Sequence, residues 1–304
     1  MAETAVNYLD PKVLAKVTRL EMRARLVVEG FVTGLHKSPF RGFSVEFAQH
    51  REYVPGDDLR YLDWKIFGKS DRFVIKQFEE ETNLRAHLFL DQSESMNYAR
   101  EGGMSKFDYA ATAVASLAFL IQQQADAVGL CLFDEQVVRQ VPPSNTRASL
   151  GNVFQTLEQA GARNRKTKIG AVLHELGTHL RQRGMVLIFS DLFDDPEEVL
   201  RGLREIAQRG HDVVVFHVLD EDEVEFPFER MTLFKGLEQM PELLVDPKSL
   251  RDAYLGEIRS FQERIRKGCL AQKIDYVRVV DSAPLDVVLT SYLTSRAARA
   301  KRRK

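Results

Sequence analysis

An α/β fold, with a mostly parallel sheet flanked by helices, is what this chain predicts, on three observations. From Leu84 onward, short apolar runs alternate with longer stretches of helical periodicity, which is the pattern of a doubly wound sheet. Two of the runs, LRAHLFLD and MVLIFSD, stop at an aspartate, Asp91 and Asp191. Open α/β sheets bind their ligands outside the carboxyl ends of such strands. Finally, 304 residues that are 44% apolar and 29% charged are enough to bury a full globular core.

In chain order, Pro11 to Glu29 places Val13, Val17, Leu20 and Ala24 on one face, an amphipathic helix with Asp10 and Pro11 as cap and first turn. The following stretch has no helical period. Its PGDD at Pro55 to Asp58 is a turn, because proline presets one dihedral and glycine accepts a positive one. Around it, Arg51, Asp57, Asp58, Arg60 and Asp63 crowd charge of both signs against Tyr53, Tyr61 and Trp64. This is either an interaction surface or a loop pinned by ion pairs and an aromatic anchor. Phe73 to Phe78 reads as a short strand. Residues 1–83 therefore form an amino-terminal region of a helix plus short strands and loops, and residues 84–304 the main domain.

The main domain starts with the strand Leu84 to Asp91, followed by a helix over Phe107 to Gln124. Ala127 to Phe133 is a strand, and Glu135 to Val141 returns beside it as a hairpin that Pro142 and Pro143 terminate. Helices over Arg147 to Ala160 and Ile169 to Leu180 precede the strand Met185 to Ser190. Pro196 to Gln208 is helical. Asp212 to Leu219 (DVVVFHVL) is β-branched enough to be a central strand. A hairpin insertion near 221–246 interrupts the alternation. A long helix over Pro247 to Ala271, a closing strand over Ile274 to Val280 and a terminal helix over Ala283 to Ala298 complete the domain. The tail from Arg299 to Lys304 is basic and reads as frayed and solvated.

Composition narrows the function classes. A formal net charge of −1, with 43 Lys and Arg against 44 Asp and Glu, gives no reason to expect nucleic acid as a partner. The chain has 2 cysteines, Cys131 within an apolar strand and Cys269, which argues against a disulfide scaffold or a cysteine zinc site. The amino terminus lacks the basic and apolar regions of a signal peptide, and the longest weakly polar stretch, Ala110 to Ile121, is too short to span a bilayer as an integral membrane segment. A cytoplasmic location is expected.

The candidate site starts at Leu88 to Met96, LFLDQSESM, which carries Asp91, Ser93 and Ser95 past a strand end. Thr167, ahead of a helix, and Asp191, after another strand, fall on the same edge. Oxygen-only donors suit a hard divalent cation, Mg2+ or Mn2+. Serines at a strand-to-helix turn also serve as helix caps, so a D-x-S-x-S match alone is weak.

The five residues together resemble the metal-ion-dependent adhesion site (MIDAS) of von Willebrand factor type A domains, over roughly Leu84 to Val280. Upstream, RxYxxGDDxRxxDW from Arg51 to Trp64 precedes the DxSxSM loop, and VDPKSLRDAYL follows. This combination is similar to the family called domain of unknown function 58, whose members resemble von Willebrand type A domains in fold (Rossmann-like) and are associated with MoxR-type AAA+ ATPases. The resemblance implies metal ligation by Asp91, Ser93, Ser95, Thr167 and Asp191. It also implies a protein-interaction role with a MoxR-type ATPase or its client, an acidic partner residue completing the metal shell. The basic loop Arg163, Arg165, Lys166 and Lys168 attracts an acidic partner or is simply a solvated loop.

Enzyme signatures are missing: there is no GxxxxGK phosphate loop, no GxGxxG fingerprint and no HExxH. The 7 histidines show no ligand spacing with the cysteines. A non-enzymatic module is therefore expected. The alternatives are a metal-dependent hydrolase, with Asp91 or Asp191 positioning water, and a metal-free scaffold whose loop serines only cap a helix.

Overall fold

The computed structural model describes residues 9–37, 50–52, 73–76, 84–162, 168–234 and 242–303. Residues 1–37 and 84–304 cluster as one compact unit and residues 38–83 as a second. In the smaller unit the described residues form an antiparallel pair, β1 (His50–Glu52) and β2 (Val74–Lys76), with Arg51 opposite Ile75.

The larger unit is built on a 6-stranded sheet in the order β10-β7-β6-β3-β4-β5. Its members are β3 (Arg85–Asp91), β4 (Ala127–Phe133), β5 (Val137–Ser144), β6 (Met185–Ser190), β7 (Asp212–Leu219) and β10 (Asp275–Val280). All neighbours pair in parallel except β4 with β5. Successive strand residues point to opposite faces, and both faces are covered. Leu88, Leu90, Leu130, Leu132, Phe189 and Phe216 pack toward α2 (Leu20–Lys37), α3 (Lys106–Gln123), α4 (Arg147–Glu158) and α9 (Leu285–Arg303). Phe89, Cys131, Phe133, Ile188 and Val215 share the opposite core with α5 (Ile169–His179), α6 (Pro196–Gln208) and α8 (Pro247–Ala271).

Four details depart from the sequence expectations. The helix expected over Pro11 to Glu29 divides into α1 (Pro11–Leu14) and α2, since Val17 to Arg19 are not helical, and α2 runs on to Lys37, into a stretch expected to have no helical period. Helix α2 belongs to the larger unit rather than to a region of residues 1–83: its Leu20, Ala24 and Val27 are buried in the core shared with α3 and α9. Strand β5 runs through Pro142 and Pro143 to Ser144. It is the antiparallel edge strand, where a missing N–H is tolerated, and a Cβ at Gly129 would lie 2.7 Å from the Pro143 nitrogen, so glycine permits the close approach. The terminal helix continues to Arg303, past the residues expected to fray.

The described residues of the insertion after β7 form a short helix, α7 (Glu221–Glu225), and an antiparallel pair, β8 (Thr232–Phe234) with β9 (Leu243–Val245). Asp220 caps α7 with a full capping box, its side chain accepting from Asp222 while Glu223 accepts from the Asp220 N–H at 2.8 Å. That cap fixes an acidic helix at the same sheet edge as the carboxyl ends of β3 and β6.

Candidate functional site at the sheet switch point

From β3 the chain passes to β4 on one side, and it later reaches β6 on the other side of β3. The crevice between β3 and β6 is therefore the topological switch point, where ligands of open α/β sheets bind. Asp91 ends β3 and Asp191 follows the last residue of β6, so the strand register brings both carboxylates to this crevice.

The loop after β3 is tightly ordered. Asp91 is fully buried, its Oδ1 accepting from the Ser93 N–H at 2.9 Å and its Oδ2 from the Ser190 hydroxyl at 2.6 Å. The Ser190 hydroxyl in turn accepts from the Leu192 N–H at 2.9 Å. Leu192 has φ 57°, a left-handed conformation that a leucine adopts only where the surroundings hold it. Ser93 is the N-cap of a 3-10 turn over Glu94–Asn97, yet its side chain makes no capping hydrogen bond. Its hydroxyl instead lies 3.1 Å from the Ser95 hydroxyl, both of them buried. The capping role considered for these serines is thus not the one they play.

Asp191 is 2% exposed and has a partner that the sequence reading did not anticipate. Lys106, the first residue of α3, is wholly buried and donates from Nζ to Asp191 Oδ2 at 2.8 Å and to Glu223 Oε1 at 2.6 Å. An ammonium out of water has to be paired, and these two carboxylates pair it. The neighbouring contacts join the same segments: Tyr98 donates to Asp222 at 3.0 Å, and Arg100 pairs with Glu221.

The charges follow from this geometry. Burial, then the nearby Asp191 charge, pushes the Asp91 carboxyl up to about 7, against the hydrogen bonds from Ser190 and Ser93. Burial also opposes ionisation of Asp191, but the Lys106 ammonium outweighs it and holds that carboxyl below its usual range. Glu223 is raised, by burial first and then by Asp191, despite Lys106. Beneath the edge, His217 is buried with its Nδ1 2.7 Å from the Tyr276 hydroxyl, and burial lowers it to about 4, so it is neutral near pH 7.

Of the five expected metal ligands, Asp91, Ser93, Ser95 and Asp191 come together here, while Thr167 lies outside the described residues, as do Arg163, Arg165 and Lys166. Of the expected interaction surface, Arg51 lies in β1, and Tyr53, Asp57, Asp58, Arg60, Asp63 and Trp64 also lie outside the described residues. Among the described residues, no three His, Cys, Asp or Glu side chains group as a metal-holding cluster. The assembled donors are two carboxylates and two hydroxyls, all oxygen. That set fits a hard cation.

Lys106, Ser190 and Glu223 were missed. Ser190 stands directly before Asp191, and Lys106 is the one cation of a mostly apolar helix, in SKFDYAATAVASLAFL. A charged residue at the head of a buried helix is a readable signal that a buried partner exists, although it does not say which. A cavity of about 250 Å³ beside the edge is lined by Arg100, Glu221 and Asp281 among others; Asp91 and Asp191 do not line it.

The architecture is that of an α/β protein with a carboxylate and hydroxyl site at the switch point of a mostly parallel sheet. The family described as protein of unknown function DUF58 matches residues 49–264, and the chain belongs to it. It is 29% identical over 252 residues to the uncharacterized proteins Rv1480 of Mycobacterium tuberculosis and Mb1516 of Mycobacterium bovis, covering 81% of this chain and 77% of each relative. Among solved structures it is similar to the conserved hypothetical protein BatB from Bacteroides thetaiotaomicron, at 16% identity and a TM-score of 0.48, over 71% of this chain and 99% of that one. It is also similar to the SpRpn10 VWA domain, at 12% identity and a TM-score of 0.38, over 68% of this chain and 93% of that domain. Among the described residues no helix is long and apolar enough to cross a membrane.

Proposed function

We propose that this chain is a metal-dependent protein-interaction module. Asp91, Ser93, Ser95 and Asp191, with Thr167, would hold Mg2+ or Mn2+. The observation that carries this reading is the pair of buried serine hydroxyls turned toward each other beside Asp91 instead of capping the helical turn they begin. Hydroxyls left in that position offer neutral oxygen donors, and the two aspartates supply the charge. When bound, the cation supplies an electrophilic open position that an acidic partner residue completes.

This chain's residues contribute placement. Ser190 and the Ser93 N–H orient the Asp91 carboxylate. Each Asp91 oxygen accepts one hydrogen bond and keeps a further lone pair with which to hold a ligand. Phe193, two residues beyond Asp191, is 59% exposed and offers an aromatic contact at the edge. The partner we propose is a MoxR-type AAA+ ATPase or its client, the association that the family resemblance implies. Calorimetric titration of the full chain with Mg2+ and Mn2+ tests the metal claim. Binding by wild type that is lost in Asp91→Ala, together with metal-dependent capture of the ATPase, is expected. No heat of binding in wild type overturns the reading.

A further inference from the structure

Lys106 is the side chain that a simple hydroxyl and carboxylate metal site leaves unexplained. Its backbone is held at the start of α3, the N–H donating to the Tyr98 carbonyl at 3.1 Å, so the side chain projects from a fixed base. Its side chain is 1% exposed and its ammonium lies 2.8 Å from Asp191 Oδ2, on one of the two carboxylates that would hold a divalent cation. The same ammonium touches Glu223, whose side chain is 23% exposed and thus nearer to solvent than Asp191 at 1%. Two carboxylates at the ends of one ammonium's reach give it two seats. The inner seat is in the site and the outer one on α7.

We propose that Lys106 is a built-in counter-cation that competes with the divalent metal for Asp191 and sets the affinity of the site. The inference rests on the metal reading above. In metal-free protein the ammonium neutralises Asp191, so the folded state does not depend on a bound ion. A divalent cation at the same carboxylate repels the ammonium, which shifts its weight to Glu223. The affinity of the site therefore reflects the difference between two cations on one carboxylate, and Lys106 makes metal binding weaker than the donor set alone would allow.

Two substitutions with opposite signs test this. Lys106→Met keeps the length and removes the charge, and its Mg2+ and Mn2+ affinity by calorimetry should rise by at least ~10-fold over wild type. Its melting temperature in chelator should fall, and added Mg2+ should recover more of it than in wild type. Glu223→Gln removes the charge of the outer seat, so the ammonium stays on Asp191 and Mg2+ affinity should fall several-fold. A residue that only supports the local structure would weaken binding in both variants. Wild type that binds Mg2+ together with folded Lys106→Met that binds it equally or less tightly overturns the competition and leaves the metal site standing. If Lys106→Met does not fold in chelator, Glu223→Gln decides: unchanged or tighter Mg2+ binding overturns the proposal. Absence of binding in wild type and both variants overturns the metal reading and this inference together. Binding confined to Lys106→Met overturns the reading of the wild-type chain as a metal-dependent module, and this inference with it.

Discussion

Asp91 and Asp191 sit at the ends of adjacent parallel strands and are buried to the same degree, yet their carboxyls are displaced in opposite directions. Asp91 receives neutral donors alone, a serine hydroxyl and a backbone N–H, and faces the charge of its neighbour. Asp191 receives an ammonium as well. Burial penalises both, and the identity of the donor decides which one stays ionised. The edge is therefore asymmetric before any ligand arrives: the β6 side is already compensated, and the β3 side is where an added cation or a proton has most to gain.

The largest effect should come from breaking the compensated side. Asp191→Ala leaves the Lys106 ammonium with Glu223 as its one remaining carboxylate partner among the contacts described, and a loss of about 3 kcal/mol in metal-free stability is expected by urea denaturation. Asp91→Ala should cost clearly less in the same assay, and an equal or larger loss would refute the asymmetry.

The pH dependence sharpens the contrast because the two signs differ. A carboxyl raised in the fold keeps its proton better folded than unfolded. In chelator, Asp91 should therefore make stability fall as pH rises from the ordinary carboxyl range to about 7, by on the order of 1 kcal/mol per pH unit. Asp91→Asn should flatten that window. Asp191 is lowered, so its contribution is present above the ordinary range and is lost as pH falls through its folded value. Stability curves of the two asparagine variants between pH 3 and pH 8 check both signs.

The smallest effect concerns the acidic helix. Tyr98→Phe removes one hydrogen bond to Asp222 and should lower the melting free energy by about 1 kcal/mol, with Mg2+ affinity nearly unchanged. A large change in Mg2+ affinity would show that α7 and the β3 loop act as a unit, and not through Lys106 alone.

Much of this was readable from residue order. The strands Ala127 to Phe133, Met185 to Ser190 and Asp212 to Leu219 and the helices Pro196 to Gln208 and Pro247 to Ala271 are found at the bounds that periodicity predicts. Their signals are local: a period of two or 3.6, a capping Asp195 or Asp246, and a proline in the first turn. The misreadings came where local and tertiary terms disagree. Pro142 and Pro143 break an interior strand but are tolerated on an edge, and edge position is a property of strand order. Pro11 to Glu29 read as one amphipathic helix, and nothing local says that α2 packs on α3 and α9.

The same division applies to the candidate site. By itself the sequence determined that Asp91 and Asp191 end strands and that Ser93 and Ser95 follow the first of them, because strand ends are marked where an apolar run meets polar residues. The tertiary structure alone decided that Lys106, 85 residues from Asp191 and 117 from Glu223, joins the two carboxylates. That meeting follows from the order in which the strands cross and from the capped turn that holds α7 at the edge. Charges separated so widely in the chain declare their partners only once the sheet has been assembled.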